Sequence, residues 1–268
     1  MPTPIIATFI LAKYKYSFLH TLGTQIPPHQ IGIDLPCRIS YAILDTTKML
    51  CDFHTHSSIS DGALSPLELV RRALVNGYHA IAITDHVGIG YLERLINEIT
   101  ADCTLARNHW NITAIPGVEL THLPATAIAN TAKKARELGA KLVVVHGQTV
   151  AEPVEPGTNL AAVKSPHVDI LAHPGMLTLE EAKLAAANGI YLEITARKQH
   201  SVTNKHVAEM ARRTGAKLIV DSDAHDEFDL LTNELAYSIA ENASLTKAEI
   251  AEALETNPQK LLRKLLAR

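Results

Sequence analysis

The stretch "DFHTHSSISDG" (residues 52–62) ends a short apolar run on two histidines one residue apart and then turns on an Asp-Gly. Side chains alternate along a strand, so His54 and His56 point to the same side and can converge on one point. "DSDAH" (221–225) repeats the device with Asp223 and His225. Between these pairs, "AITDH" supplies Asp85 and His86, "GVEL" Glu119, "VVVHG" His146 and "DILAHPG" His173. Imidazoles and carboxylates without a thiolate suit Zn²⁺, Mn²⁺ or Fe²⁺ in hydrolytic sites. Glu119 has two oxygens with which to bridge two ions, and Asp61 at the turn adds a carboxylate. Nine such donors, namely His54, His56, Asp61, His86, Glu119, His146, His173, Asp223 and His225, are too many for one tetrahedral ion and suit a cluster of two or three.

These donors need a scaffold that brings them to one place. From residue 49 the chain repeats a short apolar run followed by a helix signal. The runs are "LCDF" at 50, "AIAIT" at 80, "ITAIPGV" at 112, "KLVVV" at 141, "DILA" at 169, "IYLEI" at 190 and "KLIV" at 217. Runs apolar at nearly every position are expected of parallel strands buried on both faces. Ser65 with Glu68, Thr178 with Glu181 and Thr246 with Glu249 have capping-box spacing, and Gly77, Gly139, Gly189 and Gly215 stand where helices should stop. The class predicted is α/β, a TIM-like (β/α)7 barrel of seven strands, occupying residues 49–268. Residues 1–48 carry five prolines and no sustained period, which predicts an N-terminal extension outside the barrel. A chain starting at Met49 is expected to fold and keep its activity.

Read against these runs, six of the seven end in a donor at the same edge, and the remaining one, the sixth, passes Glu193. The C-terminal edge is where such barrels build active sites. A lone His-x-His, or one run ending in His, is commonly a surface or core histidine; the same ending on six strands is not explained that way. Because the first and last strands meet when a barrel closes, His54 and His56 should face Asp223 and His225. Of the other histidines, His20 and His29 fall in the extension, while His79, His109, His167 and His206 are expected on or beside helices. His122 and His200 follow strands and could serve either the site or a loop.

Composition limits the partners. With 25 basic and 28 acidic side chains, the net charge of −3 provides no global field for a long polyanion. Aromatic residues make up only 4% of the chain, which leaves few platforms for stacking bases. Cys37, Cys51 and Cys103 form neither an even set nor a C-x-x-C pair, so a reducing cytoplasm is expected. "PIIATFILA" is too short to span a bilayer, and no membrane segment is expected elsewhere.

In order and spacing, "DFHTHSSISDG", "AITDH", "GVEL", "VVVHG", "DILAHPG" and "DSDAH" resemble the polymerase and histidinol phosphatase family of PHP domains, from about residue 50 to "NPQKLL" near the end. The resemblance implies a distorted seven-stranded barrel with a trinuclear centre of Zn, Mn or Fe. It places His54, His56, Glu119 and Asp223 on one ion. Glu119 would bridge to a second held also by His146 and His173, and Asp61, His86 and His225 would hold the third. Some members have histidine where Asp61 stands. No implied ligand is missing, unlike the degenerate members that serve as RNA-binding subunits. The chemistry implied is phosphate-ester hydrolysis by a metal-bound hydroxide, with Glu119, Asp223 and His225 at its catalytic centre and a metal stabilising the leaving alkoxide. A small phosphomonoester such as histidinol phosphate is the expected substrate, and a nuclease or phosphodiesterase is the alternative. Arg197 and His200, after the sixth run, are expected to bind substrate, while Asp85 and Glu193 could orient imidazoles or serve as a cap or core ion pair.

Overall fold

The computed structural model describes residues 49–268. The extension assigned to residues 1–48 lies outside these described residues. Parallel strands run in the order β1 (Leu50–Asp52), β2 (Tyr78–Ile83), β4 (Thr113–Leu120), β5 (Leu142–His146), β6 (Ile170–Ala172), β7 (Tyr191–Thr195) and β8 (Leu218–Asp221), with helices between them. The two-residue β3 (His86–Val87) continues β2 past a break at Thr84 and Asp85, pairing with β4 in unchanged register. All seven expected strands are therefore present in a nearly closed (β/α)7 barrel.

Closure between β1 and β8 starts with side chains. The Asp221 carboxylate accepts from the Phe53 amide at 2.7 Å, and the Asp52 carboxylate accepts from the Ser222 amide at 3.1 Å. Beyond this reciprocal pair the backbone takes over, with Asp223 N–H donating to His54 O at 2.9 Å and His56 N–H to Ala224 O at 2.8 Å. The two donor-bearing strand ends thus meet as expected.

The interior of the barrel is apolar towards the N-terminal ends of the strands. Phe53, Ala80, Leu142, Val144, Ile170 and Ile219 pack there with Leu261, Leu262 and Leu265 of the helix Asn257–Leu266, which closes that pole. Further along, the two-residue period carries ionisable groups: Glu193 follows Tyr191 on β7, Asp221 follows Ile219 on β8, and Asp223 lies just past the end of β8. The same alternation that fills the core therefore places the donors at its open end.

Helix signals held with two exceptions. Thr178 with Glu181 and Thr246 with Glu249 form complete capping boxes. Ser65 caps the helix Pro66–Val75, but Glu68 turns outward to Arg72 at 3.3 Å instead of completing the box. His79 lies on β2 and is exposed, because that strand begins two residues before the apolar run suggests. Among the described residues, no helix is long and apolar enough to cross a membrane.

Candidate metal centre

Every predicted donor comes to the C-terminal end of the barrel. Glu119, projecting from β4, occupies the centre and divides its oxygens between two groups of imidazoles. Its Oε1 lies 3.4 Å from His54 Nε2, 3.2 Å from His146 Nδ1 and 3.6 Å from His173 Nε2. Its Oε2 lies 2.6 Å from His86 Nδ1 and 3.7 Å from His56 Nε2. Asp223 is divided likewise. Its Oδ1 faces His56 Nε2 at 3.2 Å and His225 Nδ1 at 3.6 Å, while Oδ2 faces His173 Nε2 at 3.7 Å and His200 Nε2 at 3.9 Å. Asp61 Oδ2 sits 3.2 Å from His225 Nε2 and 3.7 Å from His86 Nε2. Two ligands of one ion at about 2.1 Å are themselves roughly 3.0–3.5 Å apart; four of these eleven separations fall in that range, six exceed it by 0.4 Å or less, and the His86–Glu119 contact is shorter.

The donors form overlapping groups rather than three separate ones. Asp61, His86 and His225 come together as the resemblance implies, with His56 added to them. His54 joins both the Glu119–His173 and the His56–Asp223 groups, while His146 groups with Glu119 and His86. His200 forms a further group with His173 and Asp223. Of the two histidines open to either role, His200 is buried, stacks on His173 with ring centres 4.3 Å apart, and has Nδ1 fixed by the Thr149 hydroxyl at 2.8 Å. His122 instead lies exposed and pairs with Glu152 at 3.1 Å.

The sequence folds this way locally because several backbone constraints converge here. His173 (φ 27°) and Asp223 (φ 54°) are two of only four non-glycine residues with positive φ among those described, so strain is concentrated at donor positions. A Cβ on Gly62 would press into the His56 carbonyl, so only glycine lets the Asp61 turn approach the first strand. Asp85 fixes that same turn: its carboxylate accepts from the Ser57 amide and hydroxyl, each at 2.7 Å, and from the Ser60 hydroxyl at 2.6 Å. Asp85 therefore orients a loop and not an imidazole. Glu193 does orient one, holding His54 Nδ1 at 2.6 Å so that Nε2 faces Glu119. The pairing of Asp52 and Asp221 across the seam went unanticipated. The spacing of acids in "VDSD" was its only trace in the sequence.

Electrostatics separate these groups from ordinary buried residues. Burial opposes charge on His54, yet Glu193, Glu119 and Asp223 outweigh it and raise its pKa well above the usual imidazole value. His86 is likewise carried up to about 9, its burial overcome by Glu119. Burial, together with neighbouring imidazoles, instead holds His56 and His173 well below theirs, which leaves their nitrogen lone pairs available. Glu119 stays ionised despite its burial because His86, His54 and His146 surround it. A hydrogen bond from His225 lowers Asp61.

The decisive test of fit is satisfaction. His54 Nε2, both nitrogens of His56 and of His146, His173 Nδ1 and Glu119 Oε1 are buried without a hydrogen-bond partner. An unpaired buried polar atom costs about 1–3 kcal/mol, so so many in one place indicate coordination to a ligand. The donor types are those of divalent transition metals. The residues fit a metal cluster.

Arg197 sits at the edge of this group, its Nε 3.8 Å from Asp223 Oδ2 and its Nη1 donating to the Asp223 carbonyl at 3.3 Å. Asp229 Oδ2 lies 3.7 Å from the same Nη1.

Comparison with known proteins bears on the family and the fold. The family model described as PHP domain matches residues 52–143. An uncharacterized protein of Methanocaldococcus jannaschii is 46% identical over 218 residues, which cover 81% of this chain and 100% of that one. A protein of Shewanella halifaxensis named probable phosphatase is 30% identical, covering 82% of this chain and 94% of that one. Among solved structures, a chain of the cryo-EM structure of archaeal ribonuclease P with mature tRNA superposes with a TM-score of 0.61 at 13% identity, covering 79% of this chain and 90% of that one.

Proposed function

This chain belongs to the PHP domain family, and from that premise we propose that it is a metal-dependent phosphoesterase acting on a small phosphomonoester such as histidinol phosphate. The observation that carries this reading is the cluster of buried, partnerless imidazole nitrogens around the divided carboxylate of Glu119. His54, His56, Asp61, His86, Glu119, His146, His173, Asp223 and His225 would hold three ions of Zn, Mn or Fe. Divalent ions held there would supply Lewis acidity towards phosphate oxygens and lower the pKa of a water. Glu119, Asp223 and His225 form the catalytic centre. Glu193, bonded to His54 Nδ1, turns Nε2 towards the cluster, where a bound ion would displace the proton that the surrounding carboxylates favour in its absence. Arg197 and His200, each within 3.9 Å of Asp223 Oδ2, would bind the phosphate dianion, and a planar guanidinium suits that role.

The likeness to the ribonuclease P chain is one of fold and raises an RNA-binding or nuclease alternative. The full donor set weighs against a non-catalytic subunit, and the net charge of −3 with 4% aromatic residues weighs against a partner as long as extended nucleic acid. No membrane partner is proposed. The test is an assay of protein reconstituted with Mn²⁺ or Zn²⁺ against monoesters, diesters and single-stranded oligonucleotides. Small monoesters should turn over fastest, with only modest inhibition by salt because few phosphates are neutralised. Degradation of oligonucleotides with small monoesters untouched would replace this reading by the nuclease.

A further inference from the structure

On the loops that leave the donor-bearing strand ends, large apolar side chains recur at a fixed place. Ile89, Val150, Met176, Val202 and Phe228 follow His86, His146, His173, His200 and His225 respectively, each two to four residues after its histidine. All five are exposed, from 57% at Val150 to 85% at Phe228, and they are the majority of the nine large hydrophobic residues exposed among those described. Scattered single hydrophobics on a surface need no explanation. One on each of four consecutive loops, those after β5, β6, β7 and β8, is a different matter, because these loops share one pole of the barrel and follow the strands that present His146, His173, Arg197 and Asp223.

Local bonding holds the Phe228 end of this apolar arc in place. Asp226 Oδ1 accepts from the Phe228 and Asp229 amides at 2.7 and 3.1 Å, while Asp229 accepts from the His225 amide at 3.0 Å, so the loop bearing Phe228 is tied to a donor residue and, through Asp229, to Arg197. Charge on the arc is unsuited to additional phosphates. Its cations are Arg197 and Lys198, and Glu152, Glu155, Asp226 and Asp229 lie on the same loops. A ligand here would present one phosphate to the site and an apolar, uncharged body to the rim.

We propose that the apolar arc formed by Val150, Met176, Val202 and Phe228, with Ile89 beyond it, selects phosphomonoesters whose alcohol portion is large and apolar. The inference rests on the phosphatase reading above and narrows its monoester to one with an apolar alcohol portion, so that histidinol phosphate, whose alcohol portion carries an ammonium group, would not be the favoured one. It is tested with propyl phosphate and 3-phenylpropyl phosphate, primary-alcohol esters with closely matched leaving groups, so that a difference in kcat/KM reports contact with the distal ring. The phenyl ester should be favoured by about tenfold, the worth of burying part of one ring. In the double variant Met176→Ala, Phe228→Ala that ratio should fall at least threefold. Turnover of both esters within about twofold of each other overturns the inference alone. A ratio undiminished in the double variant also overturns it. Hydrolysis of histidinol phosphate but of neither of these esters overturns the inference alone, and hydrolysis of none of the three by the metal-loaded protein overturns the phosphatase reading itself, and the inference with it.

Discussion

The two poles of the barrel bury ionisable groups to opposite ends. At the N-terminal pole, Asp169 is fully buried and fully partnered: Arg136 donates to one oxygen, Lys264 lies 3.0 Å from the other, and Arg268 donates to both at 3.0 Å. These contacts tie the closing helix to the start of β6. At the C-terminal pole, groups equally removed from water are left without partners, His56 and His146 on both ring nitrogens. Burial with every partner present builds structure. Burial with partners missing, at a strained backbone and at one edge of a barrel, marks a site completed by a ligand.

Variants at each pole should therefore differ in kind. Glu119→Ala removes the carboxylate common to both groups of imidazoles and should lower kcat/KM by about a thousandfold, equivalent to several kcal/mol of lost transition-state stabilisation, measured under saturating metal. The fold should survive, as judged by far-ultraviolet circular dichroism. If activity persisted within tenfold, the two poles would no longer be distinguished by function.

Asp169→Ala should act in the opposite sense, costing about 3 kcal/mol in urea unfolding by leaving the partly buried Arg136 without its carboxylate, held only by the His167 and Ala140 carbonyls, with metal content unchanged. Its dependence on pH has a defined sign. Burial opposes ionisation of Asp169, but Arg136, Arg268 and Lys264 outweigh it and depress the pKa. Stabilisation by a depressed carboxylate is complete above its unfolded value of about 3.9 and is lost as pH falls through the folded value. The stability gap between the native protein and Asp169→Asn should thus be constant above about pH 5 and shrink below about pH 4. A gap that widened on acidification would show that Asp169 does not depend on its charge.

Glu193→Gln gives the finest comparison, because it keeps the shape and removes the charge that holds His54. Metal affinity should fall by about 10- to 100-fold with little change in urea stability, a separation that a purely structural role would not produce.

How far the sequence revealed these poles follows from the range of the interactions involved. Strand positions and the donors at their ends were legible because apolar runs and a two-residue period are local, and because His54 with His56 and Asp223 with His225 keep that period. The capping boxes at Thr178 and Thr246 were legible for the same reason. Glu68 departed from its box because Arg72, one turn on, competes for the carboxylate. Partners distant in sequence were not legible. The seam formed by Asp52 and Asp221 with backbone amides of opposite strands, the hold of Thr149 on His200, and the three cations around Asp169 all depend on how the barrel closes. Exposure of Phe228 and Met176 was hidden too, since apolar residues after strands read equally well as core.

Elemental analysis of the purified protein, before and after reconstitution with Zn²⁺, Mn²⁺ or Fe²⁺, tests the central claim most directly. Close to three transition-metal ions per chain in the native protein, with most of that content lost in Glu119→Ala and all of it retained in Asp169→Asn, is the expected result. No bound metal after reconstitution would contradict it, and the partnerless histidines at the C-terminal pole would then require another ligand.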